Sequence, residues 1–173
     1  MLRIESINAM LLEEGPPPRT SPRQSTQNVK HWTSTTTEKF GETGEKGREG
    51  ELFVLGAIAS WGWFVWDMEK DRDAQLAGHD IRFQNPDWHN KYSADVKNNL
   101  DKFGAFYVNP VEWMHPKKTN DRFWHVNTET GWMVWYSRYD MQDYIRKNNK
   151  TEGFWVRRKD KVPFKMTWRR CEV

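Results

Sequence analysis

Fourteen residues separate Asp80 from the triplet Asp95-Val96-Lys97. "GHDIRF" and "YSADVKNN" read as two short strands, and "QNPDWHNK" between them reads as a turn. Positions 80 and 95 are symmetric about the point between Asp87 and Trp88, the centre of that turn. In an antiparallel pair closed there, the two aspartates lie nearly opposite, with Cβ atoms about 5 Å apart. Carboxylates that close repel unless one is protonated or a cation lies between them. A hard divalent cation such as Mg²⁺ takes oxygen ligands and removes the repulsion.

Strand side chains alternate with period two, so Asp95 and Lys97 share a face. Val96 turns into the core, and its backbone carbonyl stays on the metal side. Lys97 is placed to orient an attacking water or to stabilise charge developing on a phosphorane. A third acid, Glu51, sits in the first turns of a leading helix and reaches the hairpin if that helix packs across the sheet. The bland reading of Glu51 is a first-turn acid that complements the helix dipole.

The elements that must position these groups follow from periodicity. "GREGELFVLGAIASWGWFV" has helical spacing at Leu52, Leu55 and Ala59 and at Phe53, Ala57 and Ile58, with Gly62 as the stop. "WFVW" (63–66), "HDIRF" (79–83) and "YSADVKNN" (92–99) read as three strands, joined first by the polar "DMEKDRDAQLAG". "NLDKFGAFYVNP" reads as a turn or short helical piece. "DRFWHVN" (121–127) and "WMVWYS" (132–137) form a hairpin closed at Gly131. "RYDMQDYIRKN" reads as a helix, and "GFWVRRK" and "FKMTWRR" as final strands. Asn98 and Asn99 could bond a phosphate or sugar, but a cap on the turn after Lys97 is the preferred reading.

"GREGE" opening an amphipathic helix, then "GWFVWD", "GHDIRF" and "ADVKNN", resembles the PD-(D/E)xK nuclease superfamily, which includes restriction-like endonucleases and archaeal-type Holliday junction resolvases. The resemblance covers about residues 47–100. It implies an α/β (α+β) fold, with a restriction-endonuclease-like central mixed sheet flanked by helices. It also implies Mg²⁺ or Mn²⁺ held by Asp80, Asp95, Glu51 and the Val96 carbonyl, with Lys97 assisting hydrolysis. The catalytic set carried over is Glu51, Asp80, Asp95 and Lys97. His79, not proline, precedes Asp80. The literal Pro86-Asp87 falls at the turn tip, so Asp80 is preferred; a tighter turn would put Asp87 in its place.

Composition sets the remaining expectations. The chain has 173 residues and a net charge of +3; 36% of it is hydrophobic, yet it carries eleven Trp. Mean hydropathy is −0.97, so the core must rest on a few large rings. Residues 145–173 hold ten Lys/Arg against three acids, which leaves the rest net acidic. A basic end on an acidic body suits a polyanion. Arg157, Arg158, Lys159, Arg169 and Arg170 are the expected phosphate contacts, interleaved with Trp155 and Trp168; the bland alternative is a solvated basic tail. Residues 1–45, rich in Pro, Ser, Thr and Gly, read as an extended N-terminal arm, and 46–173 as the nuclease-like domain.

The single cysteine, Cys171, excludes an internal disulfide or a Cys-based zinc site. No run approaches a membrane span, and "INAMLL" lacks the marks of a signal peptide, so an intracellular, cytoplasmic protein is expected. The histidines show no metal-ligand spacing, and nucleotide-loop and serine-hydrolase motifs are missing. The expectation is a Mg²⁺-dependent endodeoxyribonuclease of resolvase-like or phage type, acting on branched or duplex DNA as a homodimer. The alternative is a non-catalytic module that grips nucleic acid through its basic, Trp-rich C-terminal region.

Overall fold

The computed structural model describes residues 37–172, with side chains described from residue 44. The expected arm falls outside this range except at its end. There the backbone is helical from Thr37, ahead of the expected boundary at residue 46, and α1 runs Thr37–Ser60. Gly44, Gly47 and Gly50 hide this start, because glycine weakens helix propensity by about 1 kcal/mol each. Gly50 has a reason to be there. A Cβ built on it would lie 2.9 Å from Asn98 Cβ and 3.2 Å from Val126 Cγ2, so glycine lets α1 approach the sheet closely.

After α1 come β1 (Phe64–Asp67), α2 (Arg72–Leu76), β2 (Ile81–Gln84), β3 (Tyr92–Lys97), β4 (Ala105–Val108), α3 (Pro110–Trp113), β5 (Arg122–Asn127), β6 (Trp132–Ser137), α4 (Arg138–Lys147), β7 (Phe154–Arg157) and β8 (Thr167–Arg170). The fold is mixed α/β. Six strands form a mostly antiparallel sheet in the order β1-β2-β3-β5-β6-β8, and only β3 and β5 run parallel. Residues 105–108, expected as a turn or helical piece, form a strand that pairs with β7 in a separate two-stranded sheet. A parallel β3–β5 pair needs a crossover between its strands. Residues 98–121 supply it and carry β4 and α3.

Both faces of the sheet are covered. α1 crosses β1, β2, β3 and β5 and, with Trp61 in the turn that follows it, buries Val54 and Ile58 against Ile81, Phe83, Val96 and Trp124. Leu52, expected on this buried stripe, is 52% exposed, and Val54 is fully buried instead. On the other face Phe123, Val134 and Tyr136 pack against Phe106, Trp113, Met141 and Ile145. Among the described residues no helix is long and apolar enough to cross a membrane.

Candidate active site

The β2–β3 ladder pairs Ile81 with Ala94, Arg82 with Ser93 and Phe83 with Tyr92. Its next step places Asp80 across from Asp95, as the midpoint of the turn requires. Asp80 N–H donates to the Ala94 carbonyl at 2.9 Å. Asp80 Oδ2 accepts from Val96 N–H at 2.7 Å, so the first aspartate is clamped to the middle residue of the Asp-x-Lys triplet. Asp87 is exposed in the turn, with its N–H donating to Asn85 Oδ1.

Asp95 and Lys97 project from the face opposite α1, and Val96 projects towards it. Asp95 is 1% exposed. Its Oδ1 lies 3.0 Å from Lys97 Nζ, and its Oδ2 is paired with Lys118 Nζ. Lys97 is also paired with Glu112 Oε1 on α3. Asn109 Oδ1 caps this short helix by accepting from Val111 N–H at 3.2 Å, and Pro110 starts it. Lys118 reaches Asp95 past Gly78. A Cβ on Gly78 would lie 2.8 Å from Lys118 Cδ, and its φ of +76° favours glycine.

Burial and the neighbouring Asp95 charge push the Asp80 carboxyl up to about 7, although the Val96 amide opposes this. Burial also disfavours the Asp95 carboxylate, but Lys97 and Lys118 outweigh it and hold that group below the usual range. The two aspartates are therefore driven apart. For Lys97, burial opposes the charge while Asp95 and Glu112 more than compensate, so the ammonium stays protonated.

Beneath Lys97, one strand over, lies His125 at 0% exposure. Its Nδ1 is 2.6 Å from Asn99 Oδ1, and its Nε2 is 2.7 Å from Tyr136 Oη. Trp113 Nε1–H donates to Tyr136 Oη at 3.0 Å. The Tyr136 hydroxyl proton is then free to go to His125 Nε2, which leaves the imidazole proton on Nδ1 facing Asn99. A neutral ring fits its burial, which depresses its pKa to about 3. Asn99 thus holds a histidine and Asn98 donates to the Lys46 carbonyl at 2.9 Å, which replaces the expected capping role of both.

Glu51 is near this cluster, and its charge adds to the repulsion felt by Asp80. Arg48 Nη1 holds Glu51 Oε2 at 2.8 Å and also contacts Asp67 Oδ1 at 2.9 Å. Among the described residues, no three His, Cys, Asp or Glu side chains converge as a ready metal cage. The donors the geometry does bring together are Asp80 and Asp95, with Glu51 close by and tied to arginine.

The expected phosphate contacts lie elsewhere. Arg157 ends β7, Arg158 and Lys159 follow it, and Arg169 and Arg170 are on β8. In sheet order β8 is three strands from β3, about 14 Å at ordinary strand spacing. Lys159 and Arg170 are exposed. Arg158 lies over the rings of Trp132 and Trp168 at 5.5 and 5.8 Å. Arg169 departs from the expectation: it is 5% exposed, and its guanidinium lies 3.4 Å from the centroid of the Trp61 ring. Sequence reasoning missed Glu112 and Lys118. The one available signal is the crossover itself, which has to pass over the end of β3 and so brings its polar side chains to Lys97. No family model, curated protein or solved structure matches this chain.

Proposed function

We propose that the chain is a Mg²⁺- or Mn²⁺-dependent DNA endonuclease with a restriction-endonuclease-like core, acting on branched or duplex DNA as a homodimer. One observation carries this reading: Asp80 and Asp95 face each other across a ladder, with the Lys97 ammonium 3.0 Å from Asp95. The chain order gives further support. A helix bearing Glu51 comes first, then a strand, then Asp80 opening a strand, then Asp95-Val96-Lys97 within one.

The donor set suits a hard dication. Two oxygen-donor side chains stand together, and one is kept near neutral pKa by burial and the other's charge. Asp80, Asp95 and the Val96 carbonyl would hold the ion, with Glu51 as a further acid. The ion would neutralise phosphate oxygens and make water more acidic. Lys97, always charged in this setting, serves as a hydrogen-bond donor to the nucleophile or to the developing phosphorane, not as a base. Glu112 positions that ammonium. His125, neutral and fully bonded, is a rigid support and takes no proton at ordinary pH.

A non-catalytic binding module is the second reading, favoured by the pairing of Asp95 with Lys97 and Lys118 and of Glu51 with Arg48. A charge cluster neutralised in this way needs no ion. Cleavage of branched and duplex DNA in Mg²⁺, Mn²⁺ or EDTA separates the two. The nuclease cuts only with metal, and Lys97→Ala and Asp95→Asn lower the rate about a hundred- to a thousandfold, on the scale of lost electrostatic stabilisation, while DNA binding persists. Binding without metal-dependent cleavage would leave only the second reading.

A further inference from the structure

On the α1 side of the sheet a cavity of about 320 Å³ lies among aromatic rings. It falls at the lower end of the range for ligand sites, about 300–1,000 Å³. Its floor is a ring ladder: Trp124 and Trp135 stack at 4.3 Å and 9°, and Trp61 lies 6.0 Å from Trp135. Facing them, Trp88 from the β2–β3 turn meets Trp63 edge-on at 4.6 Å and Tyr92 at 5.2 Å. Core packing accounts for Trp61 and Trp124. Trp63, Tyr92 and Trp135 pack against that core only in part and leave ring surface on this space, and core packing does not account for Trp88, which is 37% exposed. The indole N–H of Trp124, a lining residue, is buried without an acceptor.

Aromatic rings around a small space take either a planar heterocycle or an organic cation. The surrounding charge decides between them. Arg122 and Lys165 line the cavity against one acid, Asp140. A third cation, the buried Arg169, sits on the Trp61 ring. Positive charge repels an ammonium ligand and attracts a phosphate.

We infer that this cavity binds a single nucleotide unit, its base stacked on the tryptophans and its phosphate held by Arg122 and Lys165. Ser137 and Thr167 line the same space and offer hydroxyls to the edge of the base. The ligand is either a free mononucleotide or one unpaired nucleotide of a strand, since both present the same base, sugar and phosphate. The site lies on the sheet face opposite Asp95 and does not depend on the nuclease reading.

The test is tryptophan fluorescence and calorimetric titration of the full chain in EDTA. Deoxyadenosine 5′-monophosphate, a ten-nucleotide single strand, a blunt duplex and choline are the probes. The proposal predicts saturable binding of the mononucleotide. Trp88→Ala weakens it about 5- to 100-fold by removing one stacking ring. Lys165→Glu weakens it as well, by charge and without touching the aromatic packing. Trp66→Ala, away from the cavity, leaves it unchanged. Tighter binding of the single strand than of the mononucleotide identifies a strand as the source; equal binding identifies the free nucleotide. Saturation by choline alone, no saturation by nucleotide or strand, or binding indifferent to both Trp88→Ala and Lys165→Glu overturns the proposal. Nucleotide binding by a protein that never cleaves DNA would sink the nuclease reading and leave this one standing.

Discussion

Two buried charges stand on opposite faces of the same sheet and are treated in opposite ways. Asp95, 1% exposed, lies between two lysines, one of which is shared with Glu112. Among the described residues Arg169, 5% exposed, has no carboxylate partner; its Nε and Nη1 are buried without hydrogen-bond partners there, and its guanidinium rests on Trp61. Burial lowers the Arg169 pKa to about 10 against a smaller opposing contribution from Cys171, whereas compensation holds the Asp95 carboxyl below its ordinary range. An ion sealed among its own counterions is a structural unit that fails when one member is removed. An ion resting only on a ring depends on a weaker attraction, about 0.5–2 kcal/mol. The charge-rich face is therefore the one built around mutual electrostatics, and the ring-rich face is built around surface.

The largest expected effect breaks the compensated side. Asp95→Ala leaves the ammonium groups of Lys97 and Lys118 without their shared acid and is expected to cost about 3–5 kcal/mol in urea unfolding. A loss under about 1 kcal/mol would mean that the lysines relax to solvent and that the cluster is not a unit.

Next comes Asp80. Its folded pKa of about 7 lies above the unfolded value. Between the two values the folded state binds more protons, so stability falls as pH rises through that window. Asp80→Asn, which keeps an oxygen for the Val96 amide, should be more stable than the parent at pH 8 by about 1–3 kcal/mol, with the gap narrowing as pH falls and closing near pH 4, around the unfolded value. Urea midpoints at the two pH values check the sign. A gap that widens on acidification would contradict the burial and repulsion assigned to Asp80.

Tyr136→Phe takes the hydroxyl from both His125 and Trp113 and should cost about 1–3 kcal/mol, the cost of buried groups left unbonded. The smallest effect belongs to the other face. Arg169→Met removes an unpaired buried cation at similar length and should change stability by less than about 1 kcal/mol in either direction, because desolvation relief offsets the lost ring contact. A loss as large as that of Asp95→Ala would erase the distinction between the two faces.

The hairpin register was legible in the sequence because it depends on one turn. Once the centre falls between Asp87 and Trp88, Asp80 must meet Asp95. Gly62 after α1, the β5–β6 hairpin with Gly131 and the helix over Arg138–Lys147 are equally local and equally readable. His125 was not, because its partners Asn99, Trp113 and Tyr136 come from three separate parts of the chain. Glu112 and Lys118 carry no local signal either; only the parallel pairing of β3 and β5 folds their crossover onto Lys97. Arg169 was misplaced for a different reason. Alternation with Trp168 correctly separates two faces, but the face that Arg169 takes is covered by Trp61, while Arg170 at the strand end stays exposed.

Anomalous diffraction from crystals soaked in Mn²⁺ tests the central claim most directly. The account predicts a peak bound by Asp80 and Asp95 with Lys97 beside it, lost in Asp80→Asn. Crystals in which Lys97 and Lys118 stay on Asp95 and no peak forms there at saturating Mn²⁺ would contradict it.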